Sequence, residues 1–132
     1  MNALDALLKA DFNIKKEVYI ARLDTHFEVR ALSADEVESI HEQATYFVGK
    51  GVNRKKERDK VKLGYLTIAK GTVNPDLNDN QLKEKAGASS AWEVVKALLL
   101  PGEQQKLEQE ILIASGFSDD EAEEESYEEI KN

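Results

Sequence analysis

The sequence predicts an α+β fold that is mainly α-helical, with about five helices, one N-terminal β-hairpin and a disordered acidic C-terminal tail. Three observations predict it. Apolar residues recur at helical spacing along most of the chain, one segment alternates as a strand does, and the last residues are strongly acidic. We therefore divide the chain into a globular domain, residues 1–117, and a tail, residues 118–132.

The negative charge of the chain is concentrated in the tail. Residues 118–132 hold eight acidic residues and one lysine, a net charge of −7, which leaves 18 acidic and 17 basic residues in the globular domain. A segment with so many like charges repels itself and buries too little apolar surface to fold. We expect it to stay disordered and to solubilise the protein or bind a partner.

Length and composition indicate one soluble domain. The chain has 132 residues, of which the globular part is long enough for a real core. Cysteine is absent, which excludes disulfides and thiolate metal sites and fits a reducing compartment. The start, Met1–Asp5, lacks the basic and apolar regions of a secretory signal, and no apolar run is long enough to span a bilayer. We expect a cytoplasmic protein that does not bind membranes.

The first elements are a short helix and the hairpin. Residues 2–10 predict a helix that carries three leucines on one side: Leu4, Leu7 and Leu8. Residues 18–23 are rich in β-branched and aromatic residues, and residues 27–31 alternate apolar with polar side chains. Asp24 and Thr25 lie between them as the turn.

A capped helix and a basic segment follow. Ser33 and Glu36 match a capping box, and apolar residues at helical spacing extend that helix to Val48. Residues 50–62 contain seven basic and two acidic residues. We predict that this basic segment is a solvated loop and the start of a helix that closes at Gly71.

The C-terminal half of the domain is predicted to be helical. A turn-rich connector containing Pro75 precedes a brief helix at residues 81–86. Ser90 and Glu93 match a second capping box for a helix at residues 90–100. Pro101 suits the first turn of the last helix. The pair Gly116-Phe117 matches a left-handed stop with its apolar contact, so we expect ordered structure to end there.

Catalytic and cofactor-binding patterns are missing from the sequence. His26 and His41 have no local metal-ligand spacing, and each is better explained as a partly buried structural histidine. The segment Gly49-Lys50-Gly51 is too short for a phosphate-binding loop, and no pair of carboxylates is marked for acid–base work. We predict a protein that is not an enzyme and needs no cofactor or metal.

Two sets of residues are candidate partner-binding sites. The helix at residues 90–100 is apolar most of the way round, so it is either central or shared with a partner. Its candidates are Trp92, Val95, Leu98, Leu99 and Leu100. The basic segment supplies the second set: Arg54, Lys55, Lys56 and Arg58. A nucleic-acid partner is disfavoured for it, because no aromatic residues lie among the bases and the whole chain carries −8. An acidic protein surface and this chain's own tail stay open as partners.

Two short motifs carry a family resemblance. The run Thr72–Leu77 reads TVNPDL, and Leu82 and Gly87 follow it. The run Leu98–Glu103 then reads LLLPGE. This pattern, with Gly116-Phe117 near the end, resembles the XkdN-like family of phage tail assembly chaperones over about residues 2–117.

The resemblance implies a non-enzymatic protein made in the cytoplasm of the bacterial host during phage or prophage morphogenesis and absent from the mature virion. Such chaperones bind the long, helical tape measure protein, keep it soluble and help to recruit tail tube subunits. Self-association stays open, as do two other functions. An acidic host-directed inhibitor or nucleic-acid mimic would use the tail, and a small nucleic-acid binder would use the basic segment at residues 50–62.

Overall fold

The computed structural model describes residues 2–120 and 122 and confirms an α+β fold with mainly helical content. Within this part of the chain there are six α-helices and five strands rather than about five helices and one hairpin. The helices are α1 (Ala3–Lys9), α2 (Ala34–Gln43), α3 (Lys60–Gly71), α4 (Asn80–Ala86), α5 (Ala91–Leu98) and α6 (Pro101–Ala114). The strands are β1 (Lys15–Ile20), β2 (Thr25–Arg30), β3 (Thr45–Val48), β4 (Lys55–Arg58) and β5 (Thr72–Asn74).

The predicted hairpin is present as β1 and β2, which pair antiparallel and form the first hairpin. Its turn differs from the prediction. A 3₁₀ turn at Ala21–Leu23 leads to Asp24, which takes the left-handed conformation (φ 48°), and Thr25 already belongs to β2. Aspartate tolerates that conformation, and here its carboxylate accepts a hydrogen bond from the Tyr19 hydroxyl (2.6 Å).

The core lies between the first hairpin and the helices α3, α5 and α6. Strand β5 pairs with β2, so the sheet order is β1-β2-β5, although the sequence predicted only a connector there. Helix α6 packs on β1 and β2, and α3 packs on α5 and α6. The most enclosed side chains come from all of these elements: Ile20, Val29, Ile68, Val94, Val95, Leu107 and Ile111.

Gly71 shows how closely the helices approach. A Cβ atom at this position would lie 2.6 Å from the Ile111 Cδ1 atom, well inside van der Waals contact. Helix α3 therefore ends where only a hydrogen atom fits against α6. The predicted stop at Gly71 is confirmed, and close packing on Ile111 of α6 explains why this position is glycine.

A second hairpin, residues 45–58, replaces two predicted features. The predicted helix to Val48 is wrong, because α2 ends at Gln43 and Thr45–Val48 is strand β3. The predicted loop in the basic segment is also wrong, because Lys55–Arg58 is strand β4 and pairs with β3. The β-branched and aromatic run Thr-Tyr-Phe-Val prefers a strand. Gly49 (φ 89°) and Gly51 (φ 60°) supply the turn that lets it pair.

The two predicted capping boxes have different outcomes. The first is confirmed: the Ser33 hydroxyl accepts from the Glu36 N–H (3.2 Å), and the Glu36 carboxylate accepts from the Ser33 N–H (3.0 Å). The second is wrong. The Ser90 hydroxyl donates to the Glu93 carboxylate (2.7 Å) and accepts no helix N–H. Ser89 donates to the same carboxylate (2.9 Å), so Glu93 accepts from two hydroxyls, and the reciprocal hydrogen bonds of a capping box at Ser90 are not formed.

The motif residues Leu98–Glu103 join α5 to α6, and Glu103 binds the first hairpin through Arg22. Glu103 accepts two hydrogen bonds from the Arg22 guanidinium, each 2.8 Å long, and one from the Leu100 N–H (2.8 Å). The arginine hydrogen bonds, followed by the backbone bond, lower the pKa of the Glu103 carboxyl despite its partial burial. These motif residues are therefore architectural.

The last helix ends as predicted, but ordered structure continues past it. Gly116 is left-handed (φ 99°), and the N–H groups of Gly116 and Phe117 donate to the carbonyls of Ile113 (3.0 Å) and Leu112 (3.1 Å). Residues 119–120 and 122 are helical and Ala122 is buried, so the expectation that order ends at Phe117 is wrong. Acidic side chains at the start of a helix are favoured by its dipole. Predicted disorder in residues 121 and 123–132 lies outside the described residues.

Candidate interaction surfaces

The predicted apolar site on α5 is mostly part of the core. Val95 and Leu99 are buried, so they are not available to a partner. Trp92 and Leu98 are half-buried against the same core, and Trp92 stacks on Tyr65 with ring centroids 6.2 Å apart. Only Leu100, at the α5–α6 junction, is exposed among these five residues. The buried face of this helix is therefore part of the core, and partner binding through Trp92, Leu98 and Leu100 stays a prediction.

The predicted basic site lies on the second hairpin, away from the core. All four residues of β4 are exposed, and Arg54 precedes them in the turn. The Arg54 guanidinium lies 3.6 Å from the centroid of the Phe47 ring, a cation–π contact. The strand pairing also places Lys56 opposite Phe47. An aromatic side chain therefore does lie among the basic side chains. The sequence does not show this, because Phe47 and the basic residues lie on different strands.

The second hairpin also exposes apolar side chains. About half of each β3 side chain from Tyr46 to Val48 is accessible, and Val52 in the turn is fully exposed. Single exposed apolar side chains are common on protein surfaces, whereas several together mark a contact surface. The hairpin thus combines positive charge with aromatic and aliphatic surface.

The N-terminal arm, residues 2–14, exposes several large apolar side chains. Helix α1 buries no residue, and the fractional exposure of Leu4, Leu7 and Leu8 is 66%, 65% and 74%. The Asn2 side chain caps this helix by accepting from the Asp5 N–H (2.9 Å). The sequence predicts the helix and its leucine side correctly, but it does not show that the body leaves that side uncovered.

A groove lies where the arm joins the body. Its volume is about 420 Å³, and Phe12 and Ile14 form one wall. The start of α2 and the end of α6 form the opposite side, with Arg30 and Glu36 at the groove. These two side chains pair with each other (2.5 and 2.9 Å), so the charged part of the lining is already neutralised.

The two histidines lie in different environments. His26 lies on the exposed side of β2, where its ring centroid is 5.1 Å from that of Tyr19, so its predicted partial burial is wrong. His41 is half-buried, and desolvation followed by the charge of Arg58 lowers the pKa of its imidazole. Residues 2–120 and 122 contain no cluster of three or more groups that could hold a metal ion. No helix in that part of the chain is long and apolar enough to cross a membrane.

A comparison with solved structures shows that the fold is shared with a known protein. A solved structure, the crystal structure of the protein YqbN, superposes with a TM-score of 0.64 at 15% sequence identity. The match covers 89% of this chain and 98% of that chain. At this identity it shows a shared fold. A search of curated proteins gave no significant match.

A family model gives the functional class. The model described as phage XkdN-like tail assembly chaperone protein matches residues 4–131. It extends over the acidic segment, whereas the motif resemblance in the sequence stops near Phe117. Because the match spans nearly the whole sequence and agrees with the motifs, this chain belongs to the phage XkdN-like tail assembly chaperone family.

Proposed function

We propose that this protein binds the tape measure protein in the cytoplasm of the bacterial host, keeps it soluble, helps to recruit tail tube subunits, and is absent from the mature virion. Membership of a tail assembly chaperone family supports a non-enzymatic role in building the tail. The observation that carries the finer proposal is the N-terminal arm, whose three leucines are exposed on a helix that buries nothing.

The chemistry of the arm suits a long helical client. An amphipathic helix packs on another helix through apolar residues at spacings of three and four, which is the spacing of Leu4, Leu7 and Leu8. A client with long apolar faces aggregates unless those faces are covered. A short arm offers modest affinity per copy, so tube subunits can displace it during assembly. Many copies along one client are then needed to cover it.

The second hairpin and the acidic segment supply the rest of the proposal. Phe47 and Val52 extend the apolar contact area beyond the arm. The net charge of −7 on residues 118–132 keeps neighbouring chaperones and their client apart by repulsion. The chaperone would therefore cover apolar surface of the client, while its net negative charge maintains solubility.

Co-expression with the surrounding tail genes tests the client. A tagged chain should recover a very long helical tail protein, identified by mass spectrometry, and should move that protein from the pellet to the soluble fraction. Recovery of host enzymes alone would contradict the proposal and favour a host-directed inhibitor. Recovery of nucleic acid with steep salt dependence would favour binding through the basic segment.

Variants then locate the binding surface. Changing Leu4, Leu7 and Leu8 together to serine should abolish recovery of the client while leaving the circular dichroism of the body unchanged, since none of the three is buried. Leu100→Ser is the control, because it removes an exposed leucine outside the arm. Full client recovery by the triple variant would show that the arm is not the contact surface.

Displacement tests the recruitment step. Purified tube subunits added to the chaperone–client complex should release the chaperone and remain with the client. A ternary complex that keeps every chaperone copy would contradict transient binding.

A further inference from the structure

The second hairpin carries positive charge that the rest of the described chain does not neutralise. Arg54, Lys55, Lys56 and Arg58 outweigh Glu57, which gives residues 54–58 a net charge of +3. Elsewhere in residues 2–120 and 122, both arginines pair with carboxylates, Arg22 with Glu103 and Arg30 with Glu36. None of the four basic side chains on the hairpin forms such a pair with a described carboxylate.

The acidic segment begins on the same side of the body as this hairpin. Phe117 lines a small cavity together with Ile40 and His41 at the end of α2. The charge of Arg58 reaches His41, and the Asp59 N–H at the end of β4 donates to the Ala44 carbonyl (2.8 Å). The chain leaving Phe117 therefore starts beside the base of the second hairpin.

The chain beyond Phe117 makes a helical turn. Ala122 is fully buried, and its N–H donates to the Ser118 carbonyl (3.0 Å). Ten residues follow Ala122, which reach at most about 33 Å when extended. A four-residue strand is only about 13 Å long. The reach of the ten residues thus exceeds the length of a hairpin strand.

We propose that residues 123–132 of this chain dock on the second hairpin. These residues contain five glutamates and one lysine, a net charge of −4, which complements the +3 of residues 54–58. Tyr127 and Ile130 supply apolar side chains for the exposed Phe47 and Val52. Being part of the same chain, the segment has an effective concentration in the millimolar range, so weak contacts suffice. The hairpin is an acceptor for acidic peptides, and the C-terminal segment is its resident ligand.

A spin label near the C-terminus tests this docking in the full chain. The sequence contains no cysteine, so Asn132→Cys gives a single attachment site. The label should reduce the intensity of backbone amide signals from residues 45–58 more than signals from α4. Salt should restore the lost intensity, because the Debye length falls from about 10 Å at 0.1 M to about 3 Å at 1 M.

A matched pair of variants separates specific docking from general attraction. Lys55→Glu with Lys56→Glu should restore the hairpin signals. Lys85→Glu with Lys96→Glu makes the same change in net charge at exposed positions on α4 and α5 and should leave the signal loss in place. Equal effects of the two pairs would overturn the proposal, as would hairpin signals that the label never weakens.

Mixing chains decides whether the ligand is the same molecule. In a mixture of two kinds of chain, one isotopically enriched without the spin label and the other spin-labelled without enrichment, the hairpin signals should lose no intensity. Loss in that mixture alone would mean that the segment docks between copies and would overturn the intramolecular proposal. No client protein enters these experiments, so their outcome is independent of tape measure binding. Should the Lys55 and Lys56 substitutions disturb β4, the salt titration of the unsubstituted hairpin still decides the question.

Discussion

The two hairpins use the same backbone arrangement for opposite purposes. In the first hairpin, Phe27 is 5% exposed and packs in the core, whereas Phe47 in the second hairpin is 51% exposed. Both hairpins are antiparallel pairs closed by a left-handed residue, Asp24 in one and Gly49 in the other. Their difference lies in what covers them, and a lone two-stranded hairpin is marginal in water.

Charged contacts follow the same division. Arg22 and Arg30, at the two ends of the first hairpin, are held by Glu103 and Glu36. The arginines of the second hairpin have no carboxylate partner within the described residues, and Arg54 instead covers the ring of Phe47. The first hairpin is thus part of the folded body, and the second is a surface available for contact.

Phenylalanine truncation gives the largest contrast between the hairpins. Phe27→Ala leaves a cavity in the core and should lower the free energy of unfolding by about 3–5 kcal/mol. Phe47→Ala removes a half-exposed ring and one cation–π contact, so the loss should stay below about 1 kcal/mol. Urea unfolding of both variants, followed by the fluorescence of Trp92, measures the difference. Similar losses would mean that the second hairpin is buried in solution, by a partner or by another copy.

The turn glycines separate local from global stability. Gly49→Ala forces a side chain into the left-handed region and places its Cβ 2.6 Å from the Asn53 carbonyl oxygen. Opening the second hairpin should become easier by about 1–3 kcal/mol. Native-state amide exchange should rise in β3 and β4 and stay constant in β1 and β2.

Gly51→Ala is the matched control for that substitution. Gly51 is also left-handed, but no atom lies within 4 Å of its added Cβ, so only the backbone cost remains. The rate of amide exchange in β3 should therefore rise less in Gly51→Ala than in Gly49→Ala. Faster exchange throughout the sheet of β1, β2 and β5 would show that the two hairpins unfold as one unit.

Local signals account for the elements that the sequence predicts well. Ser33 and Glu36 define the start of α2 because their mutual hydrogen bonds involve only neighbouring residues. Gly87 and Gly116 end α4 and α6 for the same kind of reason, a left-handed conformation that glycine adopts freely. The alternation at residues 27–31 likewise predicts β2, since one face of that strand is buried.

Tertiary contacts decide the features that the sequence does not predict. Residues 45–48 continue the helical spacing of α2 and also have high strand propensity, so the choice depends on pairing with β4. Strand β4 reads Lys-Lys-Glu-Arg and has no apolar alternation of its own. The leucines of α1 and the valines of α5 both belong to apolar helix faces, yet only the valines, Val94 and Val95, are covered by other elements. An amphipathic pattern therefore identifies the apolar face of a helix but does not show what covers that face.

Acid is expected to loosen the first hairpin through its charged contacts. The Arg30 hydrogen bonds hold the pKa of the Glu36 carboxyl at about 2, against 4.5 for the free side chain, and Arg22 lowers the pKa of Glu103. Because these pKa values are lower in the folded chain, the unfolded chain binds more protons as the pH falls. The stabilisation is complete above about pH 4.5 and is lost as the pH falls towards about 2.

Glu36→Gln should flatten that acid dependence. The variant keeps a capping residue at the start of α2 but loses the ion pair with Arg30, so its stability at neutral pH should fall by roughly 1 kcal/mol. Glu57→Gln, the same change on the second hairpin, should keep the wild-type loss of stability in acid, because Glu57 pairs with no described arginine or lysine. Urea unfolding between about pH 5 and about pH 2 measures all three proteins. An unchanged slope in Glu36→Gln would assign the acid sensitivity to other carboxylates and remove the electrostatic part of the contrast between the hairpins.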